Sequence, residues 1–140
     1  MRAYEKLADE LGIYDKCRFI GWAAGEKKDE AFQNCSIFCL PSKNEGMPMS
    51  VLEAMSYGLA TIATPVGGVP QIINDGVDGF LFPVDDVTAL TEKLDVLMSD
   101  NALKERIGKC GRACIEKSFS LDAYMDQIDT ITRSFVNDFD

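Results

Sequence analysis

The chain predicts an α/β fold in which a parallel sheet is flanked by helices and followed by a helical carboxyl-terminal region. Three observations carry this expectation. Short apolar runs without polar alternation, such as Cys35 to Leu40, mark strands covered on both faces, the condition of a parallel sheet. Helical patterns stand between those runs, and strand, helix, strand is the order that builds parallel crossover units. After Pro83 the strand signals stop and only helical periodicity remains.

The elements follow in order. Tyr4, Leu7, Ala8 and Leu11 form a helical stripe that Gly12 ends. Cys17 to Ile20 reads as a strand, Lys27 to Asn34 as a short helix, and Cys35 to Leu40 as the next strand. A loop leads to a helix whose first residue is Pro48, because the N–H that proline lacks would have no intrahelical partner there. That helix runs to Tyr57, and Gly58 stops it. Ala60 to Thr64 is a strand, a glycine turn and a short Val69 to Asn74 helix follow, and Phe80 to Phe82 is a strand between turn signals. Three helices close the chain: about Asp86 to Met98, Asn101 to Glu116, and one capped by Ser120 that runs to about Phe135. At 140 residues, 46% hydrophobic and 26% charged, the chain can bury one core and has room for no second, so residues 1–140 are read as one domain.

The segment Pro41 to Met55 holds the most chemistry. Seven residues separate Glu45 from Glu53. Glu45 falls in the loop after a strand, and in open α/β sheets ligands sit beyond the carboxyl ends of strands. Glu53 falls in the following helix, five steps or roughly 7 Å along the axis from Pro48, about the length of a diphosphate. Ionised carboxylates are strong acceptors for sugar hydroxyls, so the pair is suited to grip the two ends of a nucleotide sugar. Between them the backbone N–H groups of Gly46, Met47 and Met49, with the positive end of the helix dipole, face where a diphosphate would lie. Alone, such spacing is a weak signal, since a loop or helical glutamate is usually just solvated.

The surrounding residues make it specific. Glu45-Gly46-Met47-Pro48, Leu52-Glu53-Ala54-Met55, Gly58 and Val66-Gly67-Gly68-Val69-Pro70 strongly resemble the carboxyl-terminal domain of retaining glycosyltransferases of family four, which have the two-domain GT-B architecture with Rossmann-like halves. Phe19-Ile20-Gly21-Trp22 and Asp75-Gly76-Val77-Asp78-Gly79-Phe80-Leu81 resemble flanking parts of the same domain, so the similarity spans most of the chain. The resemblance implies that Glu45 contacts hydroxyls of the donor sugar and acts at the catalytic centre by orienting it, not as a general base. It implies that Glu53 takes the ribose, that the Gly46 and Met47 amides lie near the phosphates, and that the Gly67-Gly68 turn approaches the donor. It further implies transfer from a UDP- or GDP-linked sugar with retention, in the making of a polysaccharide, glycolipid or cell-surface glycan. No cofactor or metal is required: no Asp-x-Asp follows a strand in the manner of a manganese site.

The departures from the family pattern are equally informative. Its members carry, upstream, a Gly-Arg and a Lys-Gly that set two cations on the donor phosphates, and this chain is expected to begin after where they should stand. The expectation is therefore a fragment that lacks the amino-terminal acceptor domain and the first donor-domain strands, inactive alone and prone to self-association through its exposed sheet edge. Gln71 stands where the family commonly has Glu.

Composition excludes other classes. A net charge of −9 argues against nucleic acid, whose phosphates call for clustered Lys and Arg. With no apolar run of membrane-spanning length and no signal segment, the expected location is cytoplasmic, the full enzyme being compatible with peripheral association at the inner membrane face. Cys17, Cys35, Cys39, Cys110 and Cys114 are an odd set whose two close pairs are four apart, and there is no His, so buried reduced thiols are favoured over a zinc site. Lys43 is the cation nearest the proposed diphosphate, though an exposed Lys there is ordinarily solvated; Ser42 could bond a ligand but is read first as satisfying the loop, and Trp22 is read as a core or rim residue rather than a base-stacking platform. Two alternatives remain. A GT-B-like nucleotide-sugar epimerase would need acid/base groups that a chain without His offers sparingly. A free-standing nucleotide-binding or interaction module follows if Met1 is the natural start.

Overall fold

The computed structural model describes residues 2–137, and the side chains of residues 2–133. Met1 and residues 138–140, which the expected single domain includes, lie outside the described residues. The chain forms two compact units, residues 1–33 and 34–140.

In the first unit, α1 (Arg2–Glu10) ends at Gly12, whose φ of 66° lets the Ile13 amide fold back to the Ala8 carbonyl. A 3-10 turn (Tyr14–Lys16) follows, and Tyr14 tilts against Phe19 with ring centroids 5.9 Å apart. The expected strand Cys17 to Ile20 is not formed: Cys17 is extended, but residues 17–20 lack a ladder partner among the described residues, and β propensity without pairing makes no strand. Helix α2 (Glu26–Gln33) begins after Gly25, one residue ahead of expectation.

The second unit holds the sheet. Strands β1 (Ile37–Leu40), β2 (Ala60–Ala63) and β3 (Phe80–Leu81) pair in parallel in the order β1-β2-β3. Each strand is shorter than its apolar run. Ile37 pairs with Ala60, so Cys35 and Ser36 precede the ladder, and Cys35 does not share a strand face with Cys39. The residues of β1 are only half-buried, against the full burial expected of them, because β1 is an outer strand of this sheet while every residue of central β2 is buried.

Helix α3 (Met49–Ser56) carries a correction to the sequence reading at each end. Pro48 is its N-cap, with extended ψ of 101°, and not its first helical residue; its carbonyl accepts from Val51 and Leu52. The helix ends one residue short of expectation, with Tyr57 as its C-cap, and Gly58 stops it as expected. Gly58 at φ 76° lets its own amide reach Met55 O and the Leu59 amide reach Ala54 O, which closes the last turn and aims the chain into β2. Helix α4 is cut to Val69–Ile72, because Ile73 turns extended and the Asn74 amide donates to the Asp78 carboxylate. The last three helices are α5 (Val87–Ser99), α6 (Asn101–Ser118) and α7 (Leu121–Asn137). Asp86, Asp100 and Ser120 cap them, each accepting from the amide three residues on.

Both sheet faces are covered. Val51 and Met55 of α3, Val69 and Ile72 of α4 and Ile115 of α6 pack with Ala63 on one side. Ala60, Ile62 and Phe80 pack with Leu97 of α5 and Ile107 of α6 on the other. Met55, Ile62, Leu97 and Ile107 are fully enclosed, each worth about 1.5–3 kcal/mol of burial. Gly108 and Gly111 bring α6 against backbone: a Cβ at Gly108 would strike the Gly58 carbonyl, and one at Gly111 would stand 2.8 Å from the Asp78 carbonyl.

Candidate functional site

The loop from Pro41 to Pro48 leaves the carboxyl end of β1, and the turn from Thr64 to Gly68 leaves the carboxyl end of adjacent β2. Parallel neighbours end on the same side, so the two connections meet. Thr64 extends the ladder by donating its amide to Leu40 O at 3.2 Å, and its buried hydroxyl donates to Ser42 O at 2.5 Å. The Gly68 amide donates to Gly46 O at 2.6 Å.

Only glycine fits this meeting. Gly67 has φ 56°, and a Cβ there would run into the Glu45 carbonyl; a Cβ on Gly68 would stand 3.0 Å from both Gly46 O and Met47 Sδ. Gly67 and Gly68 therefore belong to the same constellation as Glu45, Gly46 and Met47, by backbone-to-backbone contact.

Glu45 is half-buried, and its carboxylate accepts from the Ser42 hydroxyl at 2.5 Å. Ser42 thus satisfies the loop, as its sequence reading held. Glu53 is half-buried in the second turn of α3. With Met49 as the first helical residue, four steps, about 6 Å of axial rise, separate the helix start from Glu53. The N-cap side chain of α3 makes no bond, and the amides of Met49 and Ser50 find no acceptor among the described residues. These are the groups a helix start presents to an anion. Met47 and Met49 are 46% and 61% exposed, so their side chains leave the helix start open to solvent.

Lys43 does not lie loose beside the loop. Its ammonium pairs with Asp85 at 2.7 Å, linking the connections after β1 and β3, and Asp85 holds the left-handed φ of 63°. Both side chains are well exposed, so the pair adds little stability. Gln71 lines a groove of ≈ 660 Å³ with Phe119 and Tyr124, and neither glutamate is among the residues that line it. Trp22 is 92% exposed, which excludes it from any core.

All five cysteines are free. Burial pushes the Cys39 thiol above its ordinary range, and burial followed by the charge and hydrogen bond of Asp78 does the same for Cys114. Neither has the lowered value of a nucleophile or a metal ligand.

Sequence reasoning did not find Thr64. Its hydroxyl acts across 22 residues of sequence, and no local period marks such a contact.

The family described as glycosyl transferases group 1 matches residues 2–113. A sulfoquinovosyl transferase of Arabidopsis thaliana is 39% identical over 102 residues, covering 71% of this chain and 20% of the relative. N-acetyl-alpha-D-glucosaminyl L-malate synthase of Bacillus anthracis is 29% identical over 136 residues, covering 95% of this chain and 34% of the relative. Among solved structures, sucrose-phosphate synthase from Thermosynechococcus elongatus superposes with a TM-score of 0.83 at 26% identity, covering 97% of this chain and 34% of that one. The chain spans a fifth to a third of the length of these curated relatives.

Proposed function

The chain belongs to the group 1 glycosyl transferases, and from that premise we propose that it is the donor-binding, carboxyl-terminal part of a retaining family-four enzyme that moves a sugar from a nucleotide to a glycan or glycolipid acceptor. One observation carries this reading: two half-buried carboxylates, Glu45 and Glu53, flank a helix start whose first amides are open. The diphosphate lies on the Gly46, Met47 and Met49 amides, Glu53 accepts from the ribose hydroxyls, and Glu45 accepts from the sugar. Negative charge grows on the leaving diphosphate during transfer, and fixed amide dipoles stabilise that charge without reorganising. Cations from outside this segment add to it, and no metal is needed. Glu45 orients the sugar for attack, which raises the rate through positioning and not through proton transfer.

The 140-residue chain alone transfers no sugar, because the acceptor is held by the other domain. It works in the cytoplasm, without nucleic acid, and self-associates when isolated through the exposed edge of its sheet. The full-length protein, incubated with UDP- and GDP-sugars and lipid or glycan acceptors, should give a product with the donor's anomeric configuration by NMR. An inverted product rejects retention. Robust transfer by the isolated chain rejects the division of labour between domains, and a strict monomer by light scattering at high concentration rejects self-association.

A further inference from the structure

The carbonyls of Leu40, Ser42 and Gly46 all accept hydrogen bonds from the segment Thr64 to Gly68, and Glu45 sits among these three anchors. Two bonds then lead to its carboxylate. The Thr64 hydroxyl, buried at the end of β2, holds Ser42 O at 2.5 Å, and the Ser42 hydroxyl holds Glu45 Oε1 at 2.5 Å. Ser42 has a single hydroxyl proton, so donation to Glu45 commits it, and the direction of that donation depends on where the Ser42 backbone stands. Thr64 sets that backbone. The Thr64 main chain is fixed in turn by its amide bond to Leu40 O at 3.2 Å.

We infer that Thr64 and Ser42 are positioning residues for Glu45: a two-bond relay from the buried centre of the sheet holds one carboxylate oxygen and leaves the other free to accept from a ligand. This rests on the donor-site reading above and adds the residues that align it. A glutamate on a loop has several rotatable bonds, and a carboxylate that samples many rotamers aligns its ligand in only a fraction of encounters. Neither Thr64 nor Ser42 is placed against the nucleotide, so the relay should act on turnover and not on nucleotide affinity.

The test compares the full-length parent with Ser42→Ala, Thr64→Val and Thr64→Ser, each checked for a parental circular dichroism spectrum. Losing a hydrogen bond to a charged group costs about tenfold or more, so kcat should fall by about that factor in Ser42→Ala; Thr64→Val loses a bond to a neutral carbonyl, so its kcat should fall by a smaller factor, about threefold to tenfold. Affinity for free nucleoside diphosphate should stay within about twofold of the parent, and Thr64→Ser, which keeps the hydroxyl, should retain most of the rate. Should Thr64→Val fail to fold, Ser42→Ala and Thr64→Ser carry the comparison, since Ser42 is only half-buried.

A parent that transfers no sugar from any donor overturns the donor-site reading and this inference with it. A parent that transfers sugar while Ser42→Ala keeps parental kcat overturns the relay alone. So does an equal loss of kcat and nucleotide affinity in Thr64→Val and Thr64→Ser, which would assign Thr64 to packing.

Discussion

Gly67 and Gly76 both hold left-handed backbone, with φ of 56° and 76°, yet an added Cβ would meet the Glu45 carbonyl at the first and open space at the second. Gly76→Ala should therefore cost the conformational penalty alone, about 1–2 kcal/mol, while Gly67→Ala should cost more and also disturb the loop that carries Glu45. Urea denaturation of the two variants measures the difference, and equal losses would mean that the loop yields freely. The thiols give a pH dependence. Folding raises the pKa of Cys39 and Cys114, so the unfolded chain releases these protons at lower pH than the folded one. Their contribution to stability is complete below the ordinary thiol pKa and is lost as pH rises through the folded values. Denaturant midpoints should fall on that alkaline side, and by less in Cys39→Ala. At this scale Glu45 and Glu53 were readable because they lie on one continuous segment whose neighbours are distinctive. The Ser42 and Thr64 bonds were not, because they are made by geometry at the sheet end and by no spacing.

Helix α6 crosses the α3–β2 turn at Gly108, where a Cβ would enter the space of the Gly58 carbonyl. Helix propensity favours alanine over glycine by about 1 kcal/mol in an open helix, whereas crowding a packed contact costs about 1–3 kcal/mol. Gly108→Ala should thus destabilise the protein, by thermal or urea unfolding, and a gain in stability would show that the crossing has slack. Asp100→Ala, which removes the cap that accepts from the Leu103 amide, should cost about 1 kcal/mol. Helix and strand order were read correctly for the sheet unit because glycines, prolines and capping residues punctuate it. The errors have a common cause. Cys17 to Ile20, Cys35 and Thr64 were assigned by composition, while a strand's bounds depend on where its partner begins and ends, as Ile37 opposite Ala60 shows. Pro48 was one residue early because its φ suits both the cap and the first turn, and only its ψ decides.

The two connections that meet at the end of β1 and β2 combine an open helix start, two carboxylates and a glycine turn that tolerates no side chain. In the proposed reading, an acidic chain of net charge −9 would hold an anionic donor there because local dipoles, and not the total charge, would face its phosphates. Glu53, placed by the helix, lies on the nucleoside side in this reading, while Glu45 touches only the sugar. Titration calorimetry of UDP and GDP into the full-length protein and its Glu53→Ala and Glu45→Ala variants separates the two. Loss of charged hydrogen bonds costs about 1.5–3 kcal/mol, so Glu53→Ala should weaken nucleotide binding by roughly tenfold or more. Glu45→Ala should bind free nucleotide nearly as the parent does. Absence of binding to the parent, equal loss in both variants, or no loss in either would contradict the assignment.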